Sequence, residues 1–232
     1  MANPEVTKVA VPEIGTETIE QTNEAEWRSH SLVAKRAFDI VFSLSLLILF
    51  SWLFLLIWIS VKRDSPGPAM FSQPRYGKNA RVFRFYKFRS MAVDAEAVLQ
   101  RHLAENPVAR EEWRVFQKLN NDPRITPLGA LIRKYSLDEI PQLWNVLRGD
   151  MSVVGPRPCI FAQRELYGMY WPRYCEVRPG ITGLWQVSGR NQVSYRRRAA
   201  MDAEYVRHLS FLNDISILLA TVRVVLNASG SR

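Results

Sequence analysis

The amino-acid sequence predicts an α+β fold, helix-rich with a small antiparallel sheet, held at a membrane by an N-terminal re-entrant helix and by interfacial amphipathic helices. Three observations carry that prediction. Residues 40–61 (IVFSLSLLILFSWLFLLIWISV) contain no charged side chain, and a basic pair stands beyond each end of the run, Lys35-Arg36 and Lys62-Arg63. Residues 69–73 (AMFSQ) and 80–88 (ARVFRFYKF) read as two strands around the turn PRYGKN at 74–79. From about residue 195 onward, apolar residues recur at helical spacing behind three consecutive arginines.

Taken in order, residues 1–28 read as a disordered acidic tail. Six glutamates precede Arg28 against the single Lys8, no apolar period is sustained, and the basic start of a signal peptide is missing. Residues 29–63 form the membrane-embedded element. An uncharged run of 22 residues is long enough to span a bilayer, for which about 20 suffice. A crossing helix carries its basic excess on one side. Basic pairs at both ends suit a helix that enters and leaves the same leaflet, and an ordinary signal anchor stands beside that reading. Ser51 in mid-run can bond back to a carbonyl and bend the helix, and Trp52 and Trp58 suit interfacial depth.

Residues 64–232 make up the remaining domain. Pro66-Gly67-Pro68 ends the apolar helix. On the second strand the period of two places Phe83, Phe85, Lys87 and Arg89 on one face. One or two polar helices over 92–118 are interrupted near Asn106-Pro107, and 128–135 and 140–147 are short helices. Residues 153–158 (VVGPRP) and 178–191 are loops constrained by Pro and Gly. In the last helical stretch Leu212, Ile215, Leu219, Val222 and Leu226 share a stripe that either lies on anionic lipid or packs into the core.

Composition narrows the chemistry. The chain has 232 residues, enough for one ordinary domain, with 31 Lys+Arg against 22 Asp+Glu. With the first 28 residues set aside, 29 basic side chains face 16 acidic ones. That excess favours an anionic partner without choosing among nucleic acid, lipid headgroups and phosphorylated substrates. Cys159 and Cys175 form no CxxC pair, and His30, His102 and His208 are scattered, which argues against a disulfide framework and a zinc site. A metal here is a hard one held by carboxylates. There is no GxxxxGK[ST], GxGxxG or DxD, and no helix-turn-helix or finger spacing, so nucleic acid is not an expected partner.

The densest patch is residues 136–158, SLDEIPQLWNVLRGDMSVVGPRP. Asp138 and Glu139 are adjacent carboxylates, with Arg133-Lys134 before them and Arg148 and Arg157 after. Ser136 with Glu139 also fits an S-x-x-E capping box, which would give the pair a purely structural task. The surrounding arginines favour chemistry: carboxylates can bind Mg²⁺ at a diphosphate or attack phosphorus directly, and phosphoryl transfer asks for positioning and charge neutralisation.

In their order along the chain, KRAFD at 35–39, the apolar segment, PRYGKN at 74–79, KFRSM at 87–91, the run from DPRITPLG to VVGPRP at 122–158 and RPGITGLWQVSGRN at 178–191 resemble the bacterial sugar transferase family, the monotopic phosphoglycosyl transferases. The resemblance covers about residues 35–228. It implies transfer of hexose-1-phosphate from UDP-hexose to undecaprenyl phosphate with release of UMP, at the cytoplasmic face of the bacterial inner membrane, so that residues 64–232 are the cytoplasmic catalytic domain. Asp138 is then the nucleophile and lies at the Mg²⁺ cofactor, and Glu139 is its partner in acid/base work or in placing the metal. Lys87, Arg89, Arg133, Arg157 and Arg190 match basic positions of the motifs and are expected to contact phosphate or nucleotide. Two segments, 102–118 and the stretch after Asn213, look like members that transfer galactose or glucose phosphate in exopolysaccharide synthesis. UDP-sugar, undecaprenyl phosphate and membrane lipid are the expected partners, and a homodimer is allowed. In the family the membrane helix usually carries Ser-Pro where this chain reads Ser51-Trp52. The rival of another class is a membrane-anchored basic interaction protein that binds acidic lipid or nucleic acid.

Overall fold

The computed structural model describes residues 16–188 and 193–226, with side chains from Leu32 onward. Helix α1 (Thr16–Leu49) starts inside the stretch read as a disordered tail, where Glu, Gln and Ala are good helix formers. It is followed by α2 (Ser51–Asp64), bent from it by 65°. No single helix among the described residues is long and apolar enough to cross a membrane, whereas this bent pair passes by length and composition. The bend needs no proline. Phe50 leaves the helical region (φ −102°, ψ 17°), yet its N–H still donates to Leu46 O and its own carbonyl accepts from Phe54 N–H, both at 2.9 Å. Among the described residues of this pair, the hydroxyl that bonds back to a helix carbonyl is that of Ser60, to Leu56 O, about two and a half turns beyond Ser51.

Both ends of the pair are fastened to the rest of the protein. Lys35 donates to Val154 O and pairs with Asp214, while Arg36 donates to Val146 O and Leu147 O at 2.6 and 3.0 Å. Buried Asp39 accepts from Ser152 Oγ and from Val153 N–H at 3.1 and 3.0 Å. The basic pair at 35–36, read from sequence as one flank of the apolar run, turns inward, and Lys62-Arg63 is the exposed one. At the other end Ile57 and Val61 pack with Phe88 and Ile132, and Phe54 meets the Phe88 ring at 4.8 Å.

Strands β1 (Met70–Tyr76) and β2 (Val82–Phe88) form the expected antiparallel hairpin, in register from Met70–Phe88 to Tyr76–Val82. The turn is tighter than the sequence reading: Pro74, Arg75 and Tyr76 belong to β1, and the chain reverses at Lys78–Ala80, with Asn79 and Ala80 at φ 56°. Helices α3 (Ala95–Glu105) and α4 (Pro107–Phe116) divide at Asn106, whose side chain accepts from Ala109 N–H at 3.1 Å as an N-cap ahead of Pro107. Next come α5 (Pro127–Lys134) and α6 (Gln142–Arg148).

The two Pro/Gly loops hold structure that their sequence does not announce. Strand β3 (Ser152–Val154) lies in the first, and β4 (Gly180–Thr182) pairs with it in parallel from the second. Short helices α7 (Arg164–Tyr167) and α8 (Trp171–Cys175) link these loops, and α9 (Leu184–Val187) follows β4. The C-terminal helical stretch is two helices, α10 (Tyr195–Arg207) and α11 (Phe211–Leu226). The main core joins Phe83 and Phe85 of β2 to Val146, Met151, Val153, Val154, Tyr205 and Ile217.

Candidate active site

Ser136, in the left-handed region at φ 56°, turns the chain out of α5 into the short 3₁₀ turn Leu137–Glu139. Its hydroxyl caps nothing, and the Glu139 carboxylate accepts from Arg157 Nη1 at 3.1 Å, so the S-x-x-E pattern is no capping box here. The turn buries Asp138 at the wall of a cleft of about 590 Å³, with Glu139 beside it. Burial first, and the charge of Glu139 second, push the Asp138 carboxyl up to about 6, although Lys87, Arg133 and Arg157 pull the other way. These three cations act on it through space and not by hydrogen bonds.

Each cation has its own support. Lys87 stands with its ammonium 5.5 Å over the ring of Phe71, its cross-strand partner, and burial lowers it to about 8. Arg133 is half-buried and its Nη1 has no hydrogen-bond partner among the described residues. For Arg157 burial works against the charge, but Glu139, by charge and hydrogen bond, outweighs it and the guanidinium is held more firmly protonated. All three line the cleft with Asp138 and Glu139.

Arg89 does not join them. β2 ends at Phe88, and the next side chain swings to the carboxyl end of α2, donating to Pro66 O, Ser65 O and Val61 O at 2.8, 2.7 and 3.3 Å. The helix stop at Pro66-Gly67-Pro68 leaves those carbonyls without helical partners, and Arg89 satisfies them. Gly67 (φ 117°) makes room, since a Cβ there would meet Arg89 Nη1 at 2.4 Å. Arg190, the remaining candidate, lies outside the described residues.

The cleft also recruits residues that the sequence reading passed over. Arg75 lines it, its guanidinium 5.1 Å over Phe85 and donating to Pro158 O, and burial lowers it to about 10. Arg198 lies 4.7 Å over the Trp185 ring, with Nη2 buried and unpartnered among the described residues. Asp202 is wholly buried, accepts from the Tyr167 hydroxyl at 2.8 Å, and is pushed up to about 8 by burial despite Tyr167, Arg157 and Arg198.

Among the described residues no three of His, Cys, Asp and Glu converge as a metal cage. The donor set nevertheless fits Mg²⁺, which is commonly held by one or two carboxylates and completes its octahedron with substrate phosphates and water. Asp138 and Glu139 offer hard oxygens whose mutual repulsion a divalent cation relieves.

Fold and cleft together define a class: an adjacent Asp-Glu pair ringed by cations, suited to a phosphate-bearing substrate, beneath a bent apolar helix pair. The bacterial sugar transferase family model matches residues 30–228, and the chain belongs to that family. It is 49% identical over 211 residues to an undecaprenyl-phosphate galactose phosphotransferase of Salmonella typhimurium (strain LT2), covering 91% of this chain and 44% of that protein. Identity to the exopolysaccharide production protein ExoY of Rhizobium meliloti (strain 1021) is 47% over 199 residues, covering 86% of this chain and 88% of that one. An undecaprenyl-phosphate glucose phosphotransferase of Komagataeibacter xylinus is 40% identical, with 86% of this chain and 36% of that protein covered. The chain thus spans less than half of either phosphotransferase and nearly all of the exopolysaccharide protein.

Proposed function

We propose that this protein transfers hexose-1-phosphate, galactose or glucose, from UDP-hexose to undecaprenyl phosphate and releases UMP, at the cytoplasmic face of the bacterial inner membrane in exopolysaccharide assembly. The observation that carries the reading is Asp138, buried in the cleft wall with Glu139 at its side and Lys87, Arg133 and Arg157 around it. The names of the relatives support undecaprenyl phosphate as acceptor, galactose or glucose as the sugar, and exopolysaccharide production as the setting.

The diphosphate of the donor lies among Lys87, Arg133 and Arg157, which offset its charge. The Asp138 carboxylate attacks the phosphorus that bears the hexose. An Asp138 O–P bond forms as the bond from that phosphorus to the bridging oxygen breaks, and the electron pair leaves with UMP. An anionic oxygen of undecaprenyl phosphate then attacks the same phosphorus, the Asp138 O–P bond breaks, and the carboxylate is restored. Glu139 holds the Arg157 guanidinium in place throughout. Mg²⁺ bound by Asp138, with Glu139 adjacent, would further neutralise the diphosphate.

The bent pair α1–α2 re-enters the leaflet it came from. Support comes from its two ends, Lys35-Arg36-Asp39 and the Arg89-bound carboxyl end of α2, which are fastened to one body of protein. Between them Val41, Ile48, Leu49 and Trp52 are more than three-fifths exposed, an apolar surface that lipid would cover. The sequence stripe on α11 is exposed as well: Leu212 and Leu226 are 80% and 77% exposed, which suits lipid contact and leaves Ile217 and Asp214 to face the core. Single cysteines at 33 and 65 are expected to react with an impermeant maleimide only from the cytoplasmic side. Labelling of residue 33 from the periplasm would overturn the re-entrant topology.

Purified protein given UDP-galactose or UDP-glucose, undecaprenyl phosphate and Mg²⁺ is expected to release UMP, and the faster donor names the sugar. Release of UDP would mean ordinary glycosyl transfer and a wrong mechanism. Arg89→Met is expected to lower stability by about 2 kcal/mol, since buried carbonyls lose their donors, with the KM for UDP-hexose unchanged. A raised KM at unchanged melting temperature would return Arg89 to the substrate.

A further inference from the structure

Helix α11 has two apolar faces. Leu219, Val222 and Leu226 look outward and are exposed, while Thr221, Val224 and Val225, at i, i+3 and i+4, line the cleft. Val224 and Val225 are half-buried and belong to none of the core clusters. Leu46 of α1, Ile181 of β4 and Val187 of α9 line the same cleft, so apolar side chains from four elements stand in it beside the arginines, lysines and carboxylates described above. The outer faces of the same two helices are the exposed apolar ones, through Leu44 and Ile48 on α1 and Leu219 and Val222 on α11.

The same cleft holds the Arg198 guanidinium, whose Nε donates to Val193 O at 2.9 Å and whose Nη2 has no partner among the described residues. The Thr182 and Thr221 hydroxyls share a hydrogen bond of 2.7 Å, tying α11 to β4, and α9 follows β4 with Trp185. Across the Trp185 ring lies the Arg198 guanidinium with its free Nη2. Arg198 in turn feels the charge of Arg157, which is bound to Glu139 beside the Asp138 nucleophile. Apolar cleft residues on two helices whose outer faces are exposed and apolar, together with a guanidinium nitrogen left unpartnered among the described residues, fit a long hydrocarbon with a single anionic head. A nucleotide or a sugar would leave that wall uncovered.

We propose that the isoprenoid end of the acceptor enters the cleft between α1 and α11, over Leu46, Ile181, Val187, Val224 and Val225, and that Arg198 receives its phosphate. This rests on the function proposed above. The occupant is the polyprenyl phosphate itself, and a membrane phospholipid in its place is the alternative that the test must separate.

Two measurements on the full chain test it. Val225→Ser is expected to raise the KM for undecaprenyl phosphate about tenfold, the worth of one well-buried valine, with the KM for UDP-hexose unchanged. Unchanged KM for the lipid, or a shift in the KM for the nucleotide donor alone, would overturn the assignment. Independently of turnover, a benzophenone amino acid at 225 is expected to capture undecaprenyl phosphate from mixed vesicles, with the adduct reduced by Arg198→Gln. The same probe at 226, on the outer face, captures bulk phospholipid. Phospholipid alone at both positions would overturn the assignment even if the enzyme is active. If no donor yields UMP but the probe at 225 still captures the polyprenyl phosphate, the reaction fails and the lipid site stands.

Discussion

Asp138→Asn is expected to reduce kcat for UMP release by a factor on the order of 10⁴ or more, because the attacking oxygen anion is removed and no neighbour replaces it. Glu139 cannot substitute, since its carboxylate already holds Arg157 at 3.1 Å. The variant is expected to melt no lower than the parent at pH 7.5. The sign follows from the raised carboxyl: a group held near 6 when folded favours the native state only while protonated, and that advantage fades as pH rises through about 6. Above it the buried charge opposes folding, and asparagine removes the charge. Activity assays beside thermal unfolding check both halves. Full turnover by the variant would leave the cleft a binding site, as in the rival reading of the sequence; a collapse of melting temperature would make Asp138 a structural residue.

Gly180→Ala is the expected large change in stability. The backbone of Gly180 lies so close to that of Gly155 that a Cβ would fall 2.1 Å from Gly155 N and 2.5 Å from Thr182 O, and neither obstacle is a side chain that could rotate away. The two loops are laced by Ser152 N–H to Pro179 O, Gly180 N–H to Pro156 O and Gly155 N–H to Thr182 O, at 2.8, 2.7 and 2.9 Å. Forcing them apart costs about 3 kcal/mol, which lowers the melting temperature by roughly 6–12 °C. Turnover falls with it, since Arg157 sits two residues past Gly155. An unchanged melting temperature would mean that the loops part freely and that their pairing does not set the place of Arg157.

Local signals were read well and distant ones poorly. Asn106-Pro107 divides α3 from α4 because an N-cap and a proline at the first helical position act within one turn. The alternation in β2 placed Phe83, Phe85 and Lys87 correctly and failed at Arg89, where the strand had already ended. Arg75 was legible by the same rule. Had PRY been given to β1, the period of two would have set Arg75 on the face of Phe71 and so of Lys87. Asp202 and Arg198 carried no comparable signal, because α10 brings them to the cleft from more than forty residues beyond the Asp-Glu pair. The parallel pairing of β3 with β4 joins two segments of three residues each, too short for a periodicity to register.

The clasp between α1 and β3 has a consequence for the order of assembly. Asp39 is synthesised over a hundred residues before Ser152 and Val153, the groups it holds, and Lys35 long before Asp214. The bent pair therefore leaves the ribosome ahead of every partner that fastens it, and in the topology proposed above it would meet lipid with those anchors still unmade. The VVGPRP loop, for its part, finds Asp39 wherever that pair has settled. The loop carrying Arg157 thus locks against a helix made long before it, and under the topology proposed above the height of the reacting groups over the acyl chains would follow from where the bent pair had already settled.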